Sequence, residues 1–334
     1  MLASFERCKL KFILDSNVRR GKEYTYEFNP NSFLGNFIHK IIENYYNEFY
    51  DLTLFDNKWE LTLLKFSNKL QLDKEYIKYW SPNYYSKKIN TLKILKNYNL
   101  LERSKVSPEK KVQFKNIYGV IDLFEAADDQ IRVTDFKTGI IYNTEDGLNI
   151  GVREAYIEQL KTYGYIIYKT EQIKAENIEL VIKGLGNNEM YSFRCTKEEY
   201  EAQGLKIDHL INETNKAIDI GNISVLATPS TSICNFCKHL FTCDSLHSSI
   251  RTRPDNWEKI VLLKIINVTF DFSELSINLL VNERTTSIVN IPQKDFIAIK
   301  KMNDLGKGVL LTQLFKVHNS HVKKWSKLTK YMAV

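Results

Sequence analysis

The chain has 334 residues, of which 43 % are hydrophobic, 12 % aromatic and 26 % charged, the make-up of a soluble globular protein long enough for two domains. Its apolar runs stay short of the roughly 18–20 residues of a membrane helix. The opening MLASFERCKLKFIL sets charges inside its apolar run, unlike a secretory leader. Membrane span, collagen, coiled coil and disorder are excluded as classes, and a cytoplasmic location is expected. The formal charge of +7 is uneven: residues 251–334 carry 14 Lys/Arg against 7 Asp/Glu, so residues 1–250 balance to zero. Such an excess at one end fits a polyanion-binding surface and equally a plain solvated one. Five cysteines, an odd number without an export signal, point to metal binding or burial rather than to a disulfide framework.

In chain order, residues 31–50 are expected to form a helix. Asn31 or Ser32 supplies a cap, and Leu34, Phe37, Ile38, Ile41, Ile42, Tyr45 and Phe49 recur at three-and-four spacing. A small helical insert, about 51–110, is rich in Leu, Lys, Tyr and Asn and is interrupted at Ser81-Pro82-Asn83. The runs VQFKNIYGVIDLFEA and IRVTDFKT, separated by Asp128-Asp129, read as a β-hairpin. Helices follow over 152–169 and 197–219, with two short strands in 177–194 around the turn Gly184–Asn188. A loop then carries three cysteines, and beyond Pro254 short β-rich runs set a domain boundary near residue 250. Gly184-Leu185-Gly186 lacks the G-K-[ST] ending of a phosphate-binding loop, so no ATP-driven motor is expected on this chain.

The hairpin holds the most informative residues. A two-residue loop at Asp128-Asp129 pairs Ala127 with Gln130 and sets Asp122 directly opposite Asp135, with Lys137 on the same face. Opposed β-carbons lie about 4.5–5.5 Å apart, and two carboxylates that close repel each other unless a proton or cation lies between them. Oxygen ligands of this kind favour Mg²⁺ or Mn²⁺, and an adjacent lysine can hold or deprotonate a water. The competing reading is a surface hairpin with an Asp–Lys cross-strand pair. Cys234, Cys237 and Cys243 offer three thiolates that need a fourth ligand, Cys8 or Cys195. Spacing alone admits either zinc or an iron–sulfur cluster.

Gly119-x-x-Asp122 followed by Asp135-Phe136-Lys137-Thr138-Gly139 resembles the core motif of the PD-(D/E)XK nucleases. The closest likeness is to the RecB-type, AddB-like iron–sulfur branch, which includes CRISPR-adaptation nucleases. Gly35-x-x-x-His39-x-x-x-Glu43 is similar to that family's G-x-x-x-H-x-x-x-E helix, and Gln159-Leu160-x-x-Tyr163 to its Q-L-x-x-Y helix. Cys8-Lys9-Leu10-Lys11-Phe12 resembles its C-P-x-x-F context, with Lys9 where proline is usual. Together these blocks span residues 4–243.

The resemblance implies a restriction-endonuclease-like α/β core, a mixed sheet flanked by helices. With the helical insert and an iron–sulfur staple it would fill residues 1–250, followed by a small basic β-rich domain over 251–334. It implies that His39, Asp122, Asp135 and the Phe136 backbone carbonyl hold Mg²⁺ or Mn²⁺, the imidazole tilting the preference to Mn²⁺. Lys137 would be catalytic, Gln159 and Tyr163 would help hold it and a DNA phosphate, and Glu43 is a candidate to orient His39. Cys8, Cys234, Cys237 and Cys243 are assigned to a 4Fe–4S cluster, with zinc as the alternative, and Cys195 to a buried structural thiol. The expected activity is a metal-dependent deoxyribonuclease, an exonuclease acting on DNA ends or single strands, in repair, CRISPR adaptation or antiphage defence, with a helicase or defence protein as partner. The alternative is a non-catalytic DNA-binding scaffold that keeps the fold. The last segment, with Trp257, Trp325 and the basic tail Lys323, Lys324, Lys327 and Lys330, suits an OB-type barrel binding single strands, or a protein-contact domain.

Overall fold

A computed structural model describes residues 8–20, 30–81, 83–145, 148–185, 189–234, 237, 239–252, 260–262, 267–281, 284–305, 309–312, 314–316, 322–325 and 329–333. Packing divides these residues into two units, residues 30–211 and residues 8–20 with 212–333, a different grouping from a cut near residue 250.

Helix α1 (Lys9–Arg20) belongs to the second unit, and the first begins with α2 (Pro30–Glu48). The periodic residues Leu34, Phe37, Ile38, Ile41 and Ile42 are all buried along one side of α2, as their spacing predicts. The helix starts at Pro30, one residue before the expected cap Asn31, because proline's fixed φ suits a first helical position. Three insert helices follow, α3 (Phe55–Leu70), α4 (Lys74–Trp80) and α5 (Tyr84–Asn97). Phe55, Trp59 and Leu63 of α3 meet α2 in one apolar cluster, where each fully buried large side chain contributes roughly 1.5–3 kcal/mol. The Trp59 indole N–H donates to the Tyr84 hydroxyl at 2.6 Å, so the buried ring's one polar atom is satisfied.

The insert is shorter than expected, since β1 (Lys105–Phe114) already occupies its last residues. The run 112–126, read as one strand, is a hairpin between β1 and β2 (Ile117–Ala126). Its turn is Lys115-Asn116, with Lys115 at φ 51°, and it lacks the glycine that marks such turns in a sequence. Then come β3 (Ile131–Lys137), a hairpin of β4 (Tyr142–Glu145) and β5 (Leu148–Val152), α6 (Glu154–Thr170), β6 (Ile178–Gly184) and β7 (Met190–Phe193). The sheet order is β1-β2-β3-β6-β7, antiparallel except for the β3–β6 pair, whose parallel crossover runs through α6. One apolar cluster joins α2 and the insert to Leu123 and Phe136 of the sheet, and another joins α6 to Ile121, Val133, Leu180 and Ile182. A mixed sheet flanked by helices is therefore the architecture, as expected.

Helix α7 (Lys197–Asp219) packs on α6 by reciprocal insertion. A Cβ on Gly164 of α6 would lie 2.6 Å from the Tyr200 hydroxyl of α7, and one on Gly204 of α7 would lie 2.5 Å from the Tyr165 ring of α6.

In the second unit α8 (Thr231–Cys234) and α9 (Asp244–Thr252) flank the cysteine loop. Next come β8 (Val261–Leu262), β9 (Asn267–Asp271), β10 (Ser276–Val281), β11 (Arg284–Val289), α10 (Gln293–Asp304), β12 (Val309–Thr312), β13 (Phe315–Lys316), β14 (Val322–Lys324) and β15 (Lys330–Ala333). The region is β-rich as expected, and among the described residues its strands form two sheets, β13-β14-β11-β10-β9 and β15-β12-β8. It also contains a helix that was not expected, α10, whose Phe296 and Ile299 are fully buried against Ile277, Ile288, Val309 and Leu311. Trp257 and Lys327 lie outside the described residues. Among the described residues no helix is long and apolar enough to cross a membrane.

The reciprocal glycines give a stability test. Tyr200 is fully buried and has no room to retreat, so Gly164→Ala is expected to cost about 1–3 kcal/mol, read from the urea midpoint at unchanged slope.

Candidate active site

The β2–β3 hairpin closes in the expected register. Ala127 N–H donates to the Gln130 carbonyl at 2.9 Å, and pairing runs from Ala126↔Ile131 to Leu123↔Thr134. The ladder stops there, one pair short of Asp122 and Asp135. The Asp122 side chain fills the next position, its Oδ2 accepting the Phe136 N–H at 2.7 Å. β3 continues in parallel with β6, so Asp135, Phe136 and Lys137 are supported from their other edge. Lys137 Nζ lies 2.6 Å from Asp135 Oδ2. Asp135 is almost fully buried, and its pKa is pushed up to about 6, by burial first and then by the Asp122 charge, against the opposing pull of Lys137.

Helix α6 braces this pair. Gln159 Oε1 accepts from Lys137 Nζ at 3.0 Å, and Gln159 Nε2 donates to Asp135 Oδ1 at 3.1 Å and to the Tyr163 hydroxyl at 3.0 Å. One amide therefore fixes both ends of the acid–lysine pair, and its own orientation is fixed one helical turn away. The Tyr163 ring lies flush on Gly119, where a Cβ would come within 2.5 Å of ring carbon Cε1. Burial is the main cause that pushes the Tyr163 phenol up to about 12, so it stays a neutral hydroxyl. The Lys137 ammonium also lies 4.8 Å from the centre of the Tyr156 ring.

His39 reaches the same carboxylate from α2, its Nδ1 3.2 Å from Asp122 Oδ1. Burial alone would lower its pKa, but the hydrogen bond and charge of Asp122 outweigh that and hold the imidazole above its ordinary value. Glu43 pairs with Lys40 at 2.7 Å, so the orienting partner of His39 is Asp122 rather than Glu43.

A fourth acid, Glu109, was not foreseen. Pairing between β1 and β2 runs Pro108↔Leu123 and Lys110↔Ile121 but skips the position between, where Glu109 faces Asp122 with φ 50°. Asp122 on the middle strand is thus flanked by Glu109 on one neighbour and Asp135 on the other. One ligand atom each from His39, Glu109 and Asp122 lie within 4.8 Å of one another. These three share a pocket of about 470 Å³ with Gly35, Asn36 and Thr138. The Glu109 pKa is raised, by burial first and then by the Asp122 charge. The register would have revealed this residue had the Lys115-Asn116 turn been legible.

Carboxylates packed this closely repel one another, and that repulsion adds to burial in raising the pKa values of Glu109 and Asp135. One imidazole nitrogen and several carboxylate oxygens, half sheltered and open to a pocket, make a donor set suited to Mn²⁺ or Mg²⁺.

The second unit holds the other cluster. Cys8, Cys234, Cys237 and Cys243 line one pocket with Leu10, Leu14 and Leu246. Burial is the leading cause that pushes the Cys234 thiol up to about 11 and raises those of Cys237 and Cys243. Cys195 is instead buried in the core of the first unit beside Tyr200. The nearby imidazoles are occupied, His239 by Asp15 at 2.8 Å and His247 by the Leu240 carbonyl at 3.1 Å.

A family model described as the PD-(D/E)XK nuclease superfamily matches residues 1–244. No curated protein matches the chain significantly. Among solved structures, the crystal structure of SSO0001 is similar at 14 % identity, covering 71 % of this chain and 94 % of that one with a TM-score of 0.29.

The pKa of Asp135, raised to about 6, and the raised values of His39 and Glu109 mean that the site keeps protons to higher pH than free side chains would and loses them as the pH rises. A bound cation must displace them. Calorimetry in buffers of different ionisation enthalpy should therefore show proton release on Mn²⁺ binding, larger at pH 6 than at pH 8. Glu109→Ala should weaken Mn²⁺ affinity about tenfold or more.

Proposed function

This chain belongs to the PD-(D/E)XK nuclease superfamily, and we propose that it is a divalent-metal-dependent deoxyribonuclease. One observation carries the reading: the Asp122 carboxylate meets His39 and the Phe136 N–H at once, beside the braced Asp135–Lys137 pair, at the edge of an open pocket. His39, Glu109 and Asp122 would hold the ion, with Asp135 and the Phe136 carbonyl completing its ligands. When bound, the ion would offset the carboxylate charges and stabilise the negative charge that builds on a phosphate during in-line displacement.

The remaining work falls to the chain's own groups. The Lys137 ammonium, held by Asp135 and Gln159, positions the attacking water by donating a hydrogen bond to its oxygen. Gln159 keeps the lysine and Asp135 in fixed relation, which is the positioning that such reactions depend on. Tyr163, neutral, accepts the Gln159 amide N–H and would keep its own O–H for a substrate phosphate oxygen. The product would be a 5′-phosphate end. A non-catalytic scaffold is not favoured, since each of these groups is present and mutually engaged.

The assay is incubation with end-labelled linear and circular DNA, single- and double-stranded, in Mn²⁺ and in Mg²⁺. Asp135→Ala and Lys137→Ala should each lower the cleavage rate by about 10²–10⁴-fold with unchanged far-UV circular dichroism. Undiminished metal-dependent cleavage by either purified variant would overturn the reading. Degradation of linear substrate alone, from one labelled end, is the outcome expected of an exonuclease.

We further propose that Cys8, Cys234, Cys237 and Cys243 hold a 4Fe–4S cluster joining α1 to the loop between α8 and α9. The support is their shared pocket. Anaerobically purified protein should be brown and contain iron and sulfide in equal amounts, lost together in Cys237→Ser. Colourless, zinc-loaded protein would contradict the assignment.

A further inference from the structure

The neutral charge sum over residues 1–250 conceals a strongly basic insert. Between Phe55 and Asn97 lie nine lysines and four acids. All four acids are engaged within the insert itself. Asp56 pairs with Lys88 at 2.8 Å, Glu60 and Glu75 meet Lys78 at 3.2 and 3.1 Å, and Asp73 caps α4 by accepting the N–H groups of Glu75 and Tyr76. Lys58 pairs with Glu48. The other lysines, Lys93 and Lys96 among them, leave a net positive field on this part of the surface.

Exposed rings lie on the same ground. Tyr79 is 84 % and Tyr85 65 % exposed, although an aromatic side chain left in water forgoes the stabilisation that burial provides. Tyr85, Ile89 and Lys93 follow one stripe of α5 at four-residue spacing, with Lys88 and Lys96 beside them. The ion pairs bring the two helices to one edge of α3: Lys88 of α5 reaches Asp56, and Lys78 of α4 reaches Glu60, one helical turn further on. Tyr79 is next to Lys78 in the chain, and Tyr85 lies one turn before Lys88. The two rings therefore lie on successive helices of an insert in which lysines outnumber acids nine to four. Flat rings interleaved with unneutralised lysines suit a strand whose bases are free to stack, whereas a duplex keeps its base faces covered.

We propose that this edge of the insert is a platform for single-stranded DNA, with Tyr79 and Tyr85 stacking on bases and Lys93 and Lys96 meeting phosphates. The proposal deepens the nuclease reading by naming the form of its substrate, but its test is separate from catalysis. The full chain is titrated into fluorescein-labelled oligo(dT) in EDTA, and binding is read by fluorescence anisotropy. Tyr79→Ala and Tyr85→Ala should each weaken binding about fivefold or more, while Tyr79→Phe and Tyr85→Phe preserve it. Lys93→Ala with Lys96→Ala should reduce the slope of log affinity against log salt by about 0.7 per lysine. In Mn²⁺, hydrolysis of bis(p-nitrophenyl) phosphate, too small to span the insert, should be unchanged in the tyrosine variants and lost in Lys137→Ala. Unaltered oligo(dT) affinity in the alanine variants, as a protein-docking surface would give, overturns the platform. Persistence of phosphodiesterase activity in Lys137→Ala overturns the nuclease reading alone.

Discussion

Negative charge held at close quarters is the constraint around which the first unit is arranged. Glu109, Asp122 and Asp135 occupy facing positions on three adjacent strands, and burial denies them the water that would screen their repulsion. The fold answers with positive and hydrogen-bonding groups from both flanks. His39 comes from α2, Lys137 from the strand itself, and the Phe136 backbone N–H binds the central carboxylate directly. A divalent cation would complete the neutralisation, so the same geometry that weakens the metal-free protein prepares it to bind metal.

That arrangement demands rigidity from neighbours with no chemistry of their own. Gln159 ties Asp135 to Lys137, Tyr163 steadies Gln159, and Gly119 lets the Tyr163 ring lie against β2. On the other face the Tyr98 hydroxyl meets Thr134 at 2.6 Å and the fully buried Glu125 at 2.9 Å, while Leu101 N–H donates to Glu125 at 2.7 Å. The exit of the insert is thereby fastened to the strand position that precedes Asp135. Loss of any of these supports would loosen the acids before it removed them.

Much of this was legible in the sequence because short-range rules govern it. The Asp128-Asp129 turn set the β2–β3 register, and periodicity set α2, α6 and α7. Glu109 was hidden for a physical reason. Its placement depends on a turn without glycine, and its positive φ breaks the alternation that pattern reading relies on. Helix α10 was missed because Phe296, Ile299 and Met302 lie among β-branched runs that drown a short helical period. The basic insert escaped notice because its excess is cancelled by acids elsewhere in residues 1–250.

The claim at the centre is that Asp122 shares one cation with His39 and Glu109. Crystals soaked in Mn²⁺ and measured at a wavelength where manganese scatters anomalously would test it most directly. The account predicts an anomalous peak within about 2.5 Å of the His39 Nδ1, a Glu109 carboxylate oxygen and an Asp122 carboxylate oxygen. A peak bound by other residues, or a Glu109 side chain turned away from a metal that Asp122 holds, would contradict it.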